Sequence, residues 1–101
     1  MPERLPFEDP GTETTVAEEI AEDARLDEPW RVILYDDDVH TFEDVIVQLV
    51  KAVGCTSARA EQHAWTVHTE GKDCVYTGDF FECLRVQGVL REIALVTEIE
   101  G

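Results

Sequence analysis

The sequence predicts an α+β fold in which three helices pack on one face of a three-stranded antiparallel sheet, in the order βααβαβ. Three observations carry that prediction. A short β-branched run at residues 31–35 (RVILY) stops abruptly at three aspartates. Phe42, Val45, Ile46, Leu49, Val50 and Val53 then recur at helical spacing on a single stripe. All four prolines fall in the first 29 residues, which leaves the rest of the chain free for regular structure.

The elements follow in order. Residues 31–35 form a buried strand. Thr41 heads the first helix, with Asp44 completing a variant capping box and Gly54 supplying the left-handed stop. A second helix is expected over residues 57–69, capped by Thr56 or Ser57 and ended by Gly71. Ala60, Ala64 and Val67 share one of its faces and His63 and His68 join them, while Trp65 points towards a second neighbour. Residues 74–77 make a short strand. Thr77 caps a third helix over residues 79–92, whose apolar positions Phe80, Phe81, Leu84, Val89, Leu90 and Ile93 are widely spread. Gly88 inside it costs up to about 1 kcal/mol relative to alanine, which implies a tight contact there. Residues 94–99 alternate and form the last strand.

The chain has 101 residues, 44% of them hydrophobic, which is enough for one domain. Its first 29 residues hold ten of the 23 acidic and two of the eight basic side chains. That break in composition divides the chain into a disordered acidic N-terminal extension, residues 1–28, and a folded core, residues 29–101. Residues 15–25 can coil into one short helix, too short to be stable alone in water. A formal net charge of −15 argues against a nucleic-acid partner, which needs a cationic stripe to release counterions, and disfavours an anionic membrane surface. No apolar run approaches the ~18–20 residues of a membrane span, and the first residues lack a secretory signal. Cys55, Cys74 and Cys83 are odd in number and form no CxxC, so they read as buried thiols in a reducing cytoplasm.

Chemistry is expected where the first strand gives way to Asp36, Asp37 and Asp38. Three adjacent carboxylates repel one another and favour a cation as neighbour. A calcium loop needs alternating oxygen ligands and a glycine at set spacing, which the contiguous aspartates lack. A phosphorylated receiver domain needs five βα units and a late lysine, and the core is too short for it. The third cation is an ammonium group on a partner: carboxylates bordering an apolar pocket suit a free N-terminus and the side chain beside it. Solvated turn aspartates are the bland alternative.

The string Val32-Ile33-Leu34-Tyr35-Asp36-Asp37-Asp38, the threonine-capped helix with Val45, Ile46 and Leu49, then Val67-His68-Thr69-Glu70-Gly71-Lys72 and Val75-Tyr76-Thr77 together resemble the ClpS family. The resemblance spans essentially all of residues 30–101. It implies a non-enzymatic adaptor that binds proteins beginning with Leu, Phe, Tyr or Trp and delivers them to an Hsp100 unfoldase of the ClpA or ClpC type. It also implies a cytoplasmic monomer with no cofactor and no metal. Asp36, Asp37, Asp38 and His68 are expected to hold the α-amino group. His40, Phe42, Val45, Ala64, Val67 and Leu95 are expected to line the hydrophobic pocket. The competing reading is an interaction module or inhibitor of the same shape with a lost or altered pocket.

Three departures from the family pattern stand out. Asp36 replaces an asparagine, so that position can accept hydrogen bonds but not donate them. Phe42 and Ala64 stand where many relatives carry methionines, which keeps a cavity but reshapes it. The stretch from the third helix to the last strand is short, and Leu84 replaces a basic residue there.

Overall fold

The computed structural model describes residues 29–101; the extension and the helix expected within it lie outside them. Strand β1 (Trp30–Tyr35) is the centre of an antiparallel sheet, flanked by β2 (Lys72–Gly78) and β3 (Thr97–Glu100). Against the sheet lie helices α1 (Phe42–Val53), α2 (Ser57–Glu70) and α3 (Phe80–Leu90), the last continued by a 3-10 turn at Arg91–Ile93. The order is βααβαβ, as the hydrophobic patterning predicts. Among the described residues no helix is long and apolar enough to cross a membrane.

Alternation in β1 decides which face is covered. Val32 and Leu34 are fully buried and join Leu49 and Ala52 of α1, Ala60 and Val67 of α2, and Cys83, Val86 and Leu90 of α3 in one core. The register steps between Val32 and Ile33, which pair with Tyr76 and Cys74, so Val75 is an extra residue in β2. Such a bulge sharpens the local twist of the strand. The other face of the sheet buries Ile33 between polar contacts, with Arg31 paired to Glu100 at 3.4 Å and the Tyr35 hydroxyl donating to Glu98 at 2.9 Å.

Both ends of α1 are fixed by its own residues. Thr41 accepts from the Asp44 N–H while the Asp44 carboxylate accepts from the Thr41 N–H, and Gly54 closes the helix at φ 79°. Thr56 rather than Ser57 caps α2, which Gly71 ends at φ 91°. Gln48, in the middle of α1, is buried because its amide donates to the Val89 carbonyl at 2.6 Å and to Glu92 at 3.2 Å. That polar tie joins α1 to the end of α3.

Four details differ from the sequence reading. β2 runs on to Gly78, so Thr77 stays in the ladder opposite Arg31 and Asp79 caps α3, accepting from the Glu82 N–H at 2.8 Å. The buried stripe of α3 is Cys83, Val86 and Leu90, leaving Phe81 and Leu84 exposed. Gly88 makes no tight contact: it faces open space, with nothing within 4 Å of an added Cβ. β3 begins at Thr97, because Ala94 takes the left-handed conformation at φ 64° and Leu95 bonds back to the Leu90 carbonyl. Cys83 alone is a buried thiol, its pKa raised by that burial; Cys55 and Cys74 are half-buried and unpaired.

Candidate functional site

Three segments meet at the end of β1. The Asp36 N–H donates to the carbonyl of Gly71 at 2.9 Å, which sets the aspartates beside the last turn of α2. The Tyr35 N–H donates to the Val96 carbonyl at 3.0 Å, which brings in the segment carrying Leu95. Between them, closed by the first turn of α1, lies a cleft of about 410 Å³.

All ten residues singled out in the sequence line this cleft. Asp36, Asp37, Asp38 and His68 form its polar end, and His40, Phe42, Val45, Ala64, Val67 and Leu95 its other walls. Ala64, Val67 and Leu95 are nearly fully buried at its base, and Asp36, Asp38 and His68 are exposed at its rim. Leu34, Tyr35 and Thr41, which the sequence reading does not assign to the site, line it as well. The signal for them was adjacency: Leu34 and Tyr35 are the last residues of β1 before the acids, and Thr41 sits between two lining residues. Among the described residues no lysine or arginine lines the cleft, and its acidic groups are Asp36, Asp37 and Asp38.

The three aspartates divide their work. Asp37 turns back into its own loop: Oδ1 accepts from the N–H groups of Val39 and His40 at 2.8 and 2.9 Å, and Oδ2 lies 2.8 Å from Nδ1 of His40. The opposite ring nitrogen of His40, Nε2, meets the Ile93 carbonyl. Both ring nitrogens thus face acceptors, an arrangement that only the imidazolium satisfies in full. His40 thereby ties the acidic loop to the turn before Leu95.

The acidities agree with that geometry. Burial pushes the Asp37 carboxyl up, but the N–H groups of His40 and Val39 and the His40 ring outweigh it, and the net shift is downward. His40 is shifted upward, chiefly by its bond to Asp37 and then by the Ile93 carbonyl, with Asp44 adding to the effect. A histidine that titrates higher when folded stabilises the fold fully below its unfolded pKa of about 6.5, and the benefit vanishes as pH rises through the raised value. An aspartate that titrates lower when folded contributes fully above about 3.9, and loses it as pH falls through the lowered value. The tether is therefore strongest between about pH 4 and 6.5. Urea midpoints are expected to decline on both sides of that interval, and His40→Gln is expected to flatten the alkaline side. Identical alkaline profiles for the two proteins would show that His40 does not carry this contribution.

Trp65 does not point to a separate neighbour. Its ring meets Phe42 edge-on, with centroids 4.8 Å apart, and lies 6.2 Å from His68. Phe42 and His68 are themselves 5.5 Å apart. His63 lies off the cleft, its Nδ1 2.6 Å from Asp73. Among the described residues no group of three or more His, Cys, Asp or Glu side chains is arranged to hold a metal ion.

The family model described as ATP-dependent Clp protease adaptor protein ClpS matches residues 25–95. Human E3 ubiquitin-protein ligase UBR2 is 43% identical over 58 residues, 57% of this chain and 3% of that protein. Mouse UBR2 is 39% identical over 67 residues, 66% of this chain and 4% of that one. The chain therefore corresponds to a small part of these ligases. Among solved structures, Agrobacterium tumefaciens ClpS2 bound to L-phenylalaninamide shares the fold, with a TM-score of 0.66 at 19% identity. The match covers 73% of this chain and 96% of that one.

Proposed function

The chain belongs to the ClpS family of ATP-dependent Clp protease adaptor proteins, and from that premise we propose that it binds proteins by a free N-terminus bearing Leu, Phe, Tyr or Trp. It acts without catalysis, as a cytoplasmic monomer, and hands its cargo to an Hsp100 unfoldase of the ClpA or ClpC type. The observation that supports this most is the junction of rim carboxylates and His68 with an open apolar cleft. The first residue's side chain enters towards Ala64, Val67 and Leu95, and its ammonium remains at the acidic end. L-phenylalaninamide, the ligand of the Agrobacterium relative, unites those same two features.

Two terms set the selectivity. Burying a bulky apolar side chain contributes about 1.5–3 kcal/mol. Each charge-assisted hydrogen bond to the ammonium adds roughly the same. An internal segment brings no ammonium and leaves the carboxylates desolvated without a partner, so rejection arises from the residues that bind. Asp36, which only accepts, strengthens the draw on the ammonium at the expense of a donor to the peptide carbonyl.

Fluorescence anisotropy with peptides beginning Phe or Leu tests the proposal. Micromolar or tighter binding is expected for the free peptides, and N-acetylation is expected to weaken it by about a hundred-fold, equivalent to some 2.7 kcal/mol. Affinity insensitive to acetylation would instead mark an interaction module with an altered pocket.

A further inference from the structure

Trp65 is an exposed aromatic surface continuous with the cleft but outside it. It is 53% exposed, a large apolar area to leave in water. It stands one turn before His68 on α2 and rests against the two cleft residues Phe42 and His68, at 4.8 and 6.2 Å between ring centroids. On the reading given above, the substrate ammonium lies beside His68. Backbone geometry then puts the Cα of the second residue within about 5 Å of that nitrogen, and with the Trp65 ring 6.2 Å from the His68 ring the long stem of a lysine or arginine at that residue can reach the indole. The first residue's side chain, buried towards Ala64, cannot occupy the same place.

The chemistry of this lip favours one class of side chain. The face of an indole attracts cations more strongly than any other aromatic side chain. The nearby rim charges, Asp36 and Asp38, are negative and exposed, and no lysine or arginine among the cleft residues competes. We infer that Trp65 determines specificity at the second position of the substrate, where it selects lysine or arginine by stacking under the cation. This rests on the adaptor reading and adds to it a second recognised residue.

The test uses the full chain and three peptides, identical except for a second residue of Lys, Ala or Glu after an N-terminal Phe. The wild type is expected to bind the Lys peptide about two- to five-fold tighter than the Ala peptide. Trp65→Leu is expected to remove most of that preference while holding the Ala peptide within about two-fold of wild type, and Trp65→Phe to retain part of it. A Lys-to-Ala ratio unchanged in Trp65→Leu assigns the preference to the acidic rim and overturns the inference, as does no preference in the wild type. A second measurement is independent of that variant's folding. The chain has two tryptophans, so a Trp30→Phe background leaves Trp65 as the sole emitter. Its emission is expected to respond more to the Lys peptide than to the Ala peptide, and equal responses count against the contact. An acetylated Ala peptide binding as well as the free one overturns the adaptor reading itself, a failure distinct from a lost Lys preference.

Discussion

Asp37→Ala is expected to cost about 2–4 kcal/mol of stability and to weaken an N-terminal Phe peptide by about a hundred-fold or more, since hydrogen bonds to a charged group contribute about 1.5–3 kcal/mol each. The change removes an acceptor that serves two backbone N–H groups and one imidazolium at 2.8–2.9 Å. His40 is then left with the Ile93 carbonyl alone, and the loop bearing Asp36 and Asp38 loses its internal clamp. Binding suffers twice, through the missing charge and through the two displaced carboxylates. Asp37→Asn separates the effects. Its amide oxygen can still accept from the loop N–H groups, so most of the stability is expected to remain while affinity falls about ten-fold. His68→Ala, at an exposed site, is expected to weaken the peptide about ten-fold with stability within about 0.5 kcal/mol of wild type. Urea denaturation and anisotropy titration on the three variants check the ranking. Wild-type binding by a folded Asp37→Ala protein would remove the aspartate from the site.

That division of labour among three neighbouring acids is what the sequence could not display. Adjacent residues in a loop point wherever the turn sends them, and nothing in the letters distinguishes the inward Asp37 from the outward Asp36 and Asp38. The helices differ in legibility for a related reason. α1 carries its boundaries in its own residues, Thr41 with Asp44 at one end and Gly54 at the other, and its apolar residues share one stripe. α3 has large apolar residues on both sides, so the choice of Cys83 and Val86 over Phe81 and Leu84 is made by the sheet it packs on. The late start of β3 depends on a left-handed alanine, a conformation that residue type does not advertise. The cleft residues were legible because the family pattern joins stretches far apart in the chain. Periodicity alone groups Ala64, Val67 and His68 on α2 and Phe42 with Val45 on α1, and does not bring the two groups together. A helical wheel turns Trp65 away from the buried face of α2, and only the fold shows that Phe42 comes to meet it.

Ala64 offers the sharpest control over the cleft itself. It is 3% exposed and lines the base of the space, on the face of α2 that also presents Val67 and His68. A larger side chain grown from its Cβ projects into volume that the first residue of a substrate needs. Ala64→Phe is therefore expected to reduce binding of Phe and Leu peptides by more than about a hundred-fold, because the ~1.5–3 kcal/mol of apolar burial is lost and a steric conflict takes its place. Stability is expected to change by less than the ~1–3 kcal/mol typical of overpacking, since the new ring enters an open cleft rather than the close-packed core. Ala64→Met is a graded version: with a narrower base, Trp and Tyr peptides are expected to lose more than Leu, which reverses any preference for the larger rings. Phe42→Met, on another wall of the same cleft, widens the space and is expected to restore part of what Ala64→Met removes; neighbours that share a cavity couple in this way. Circular dichroism establishes folding, and a titration series over the four N-termini reads the ranking. A folded Ala64→Phe protein that still binds all four as wild type does would place the recognised side chain elsewhere on the molecule.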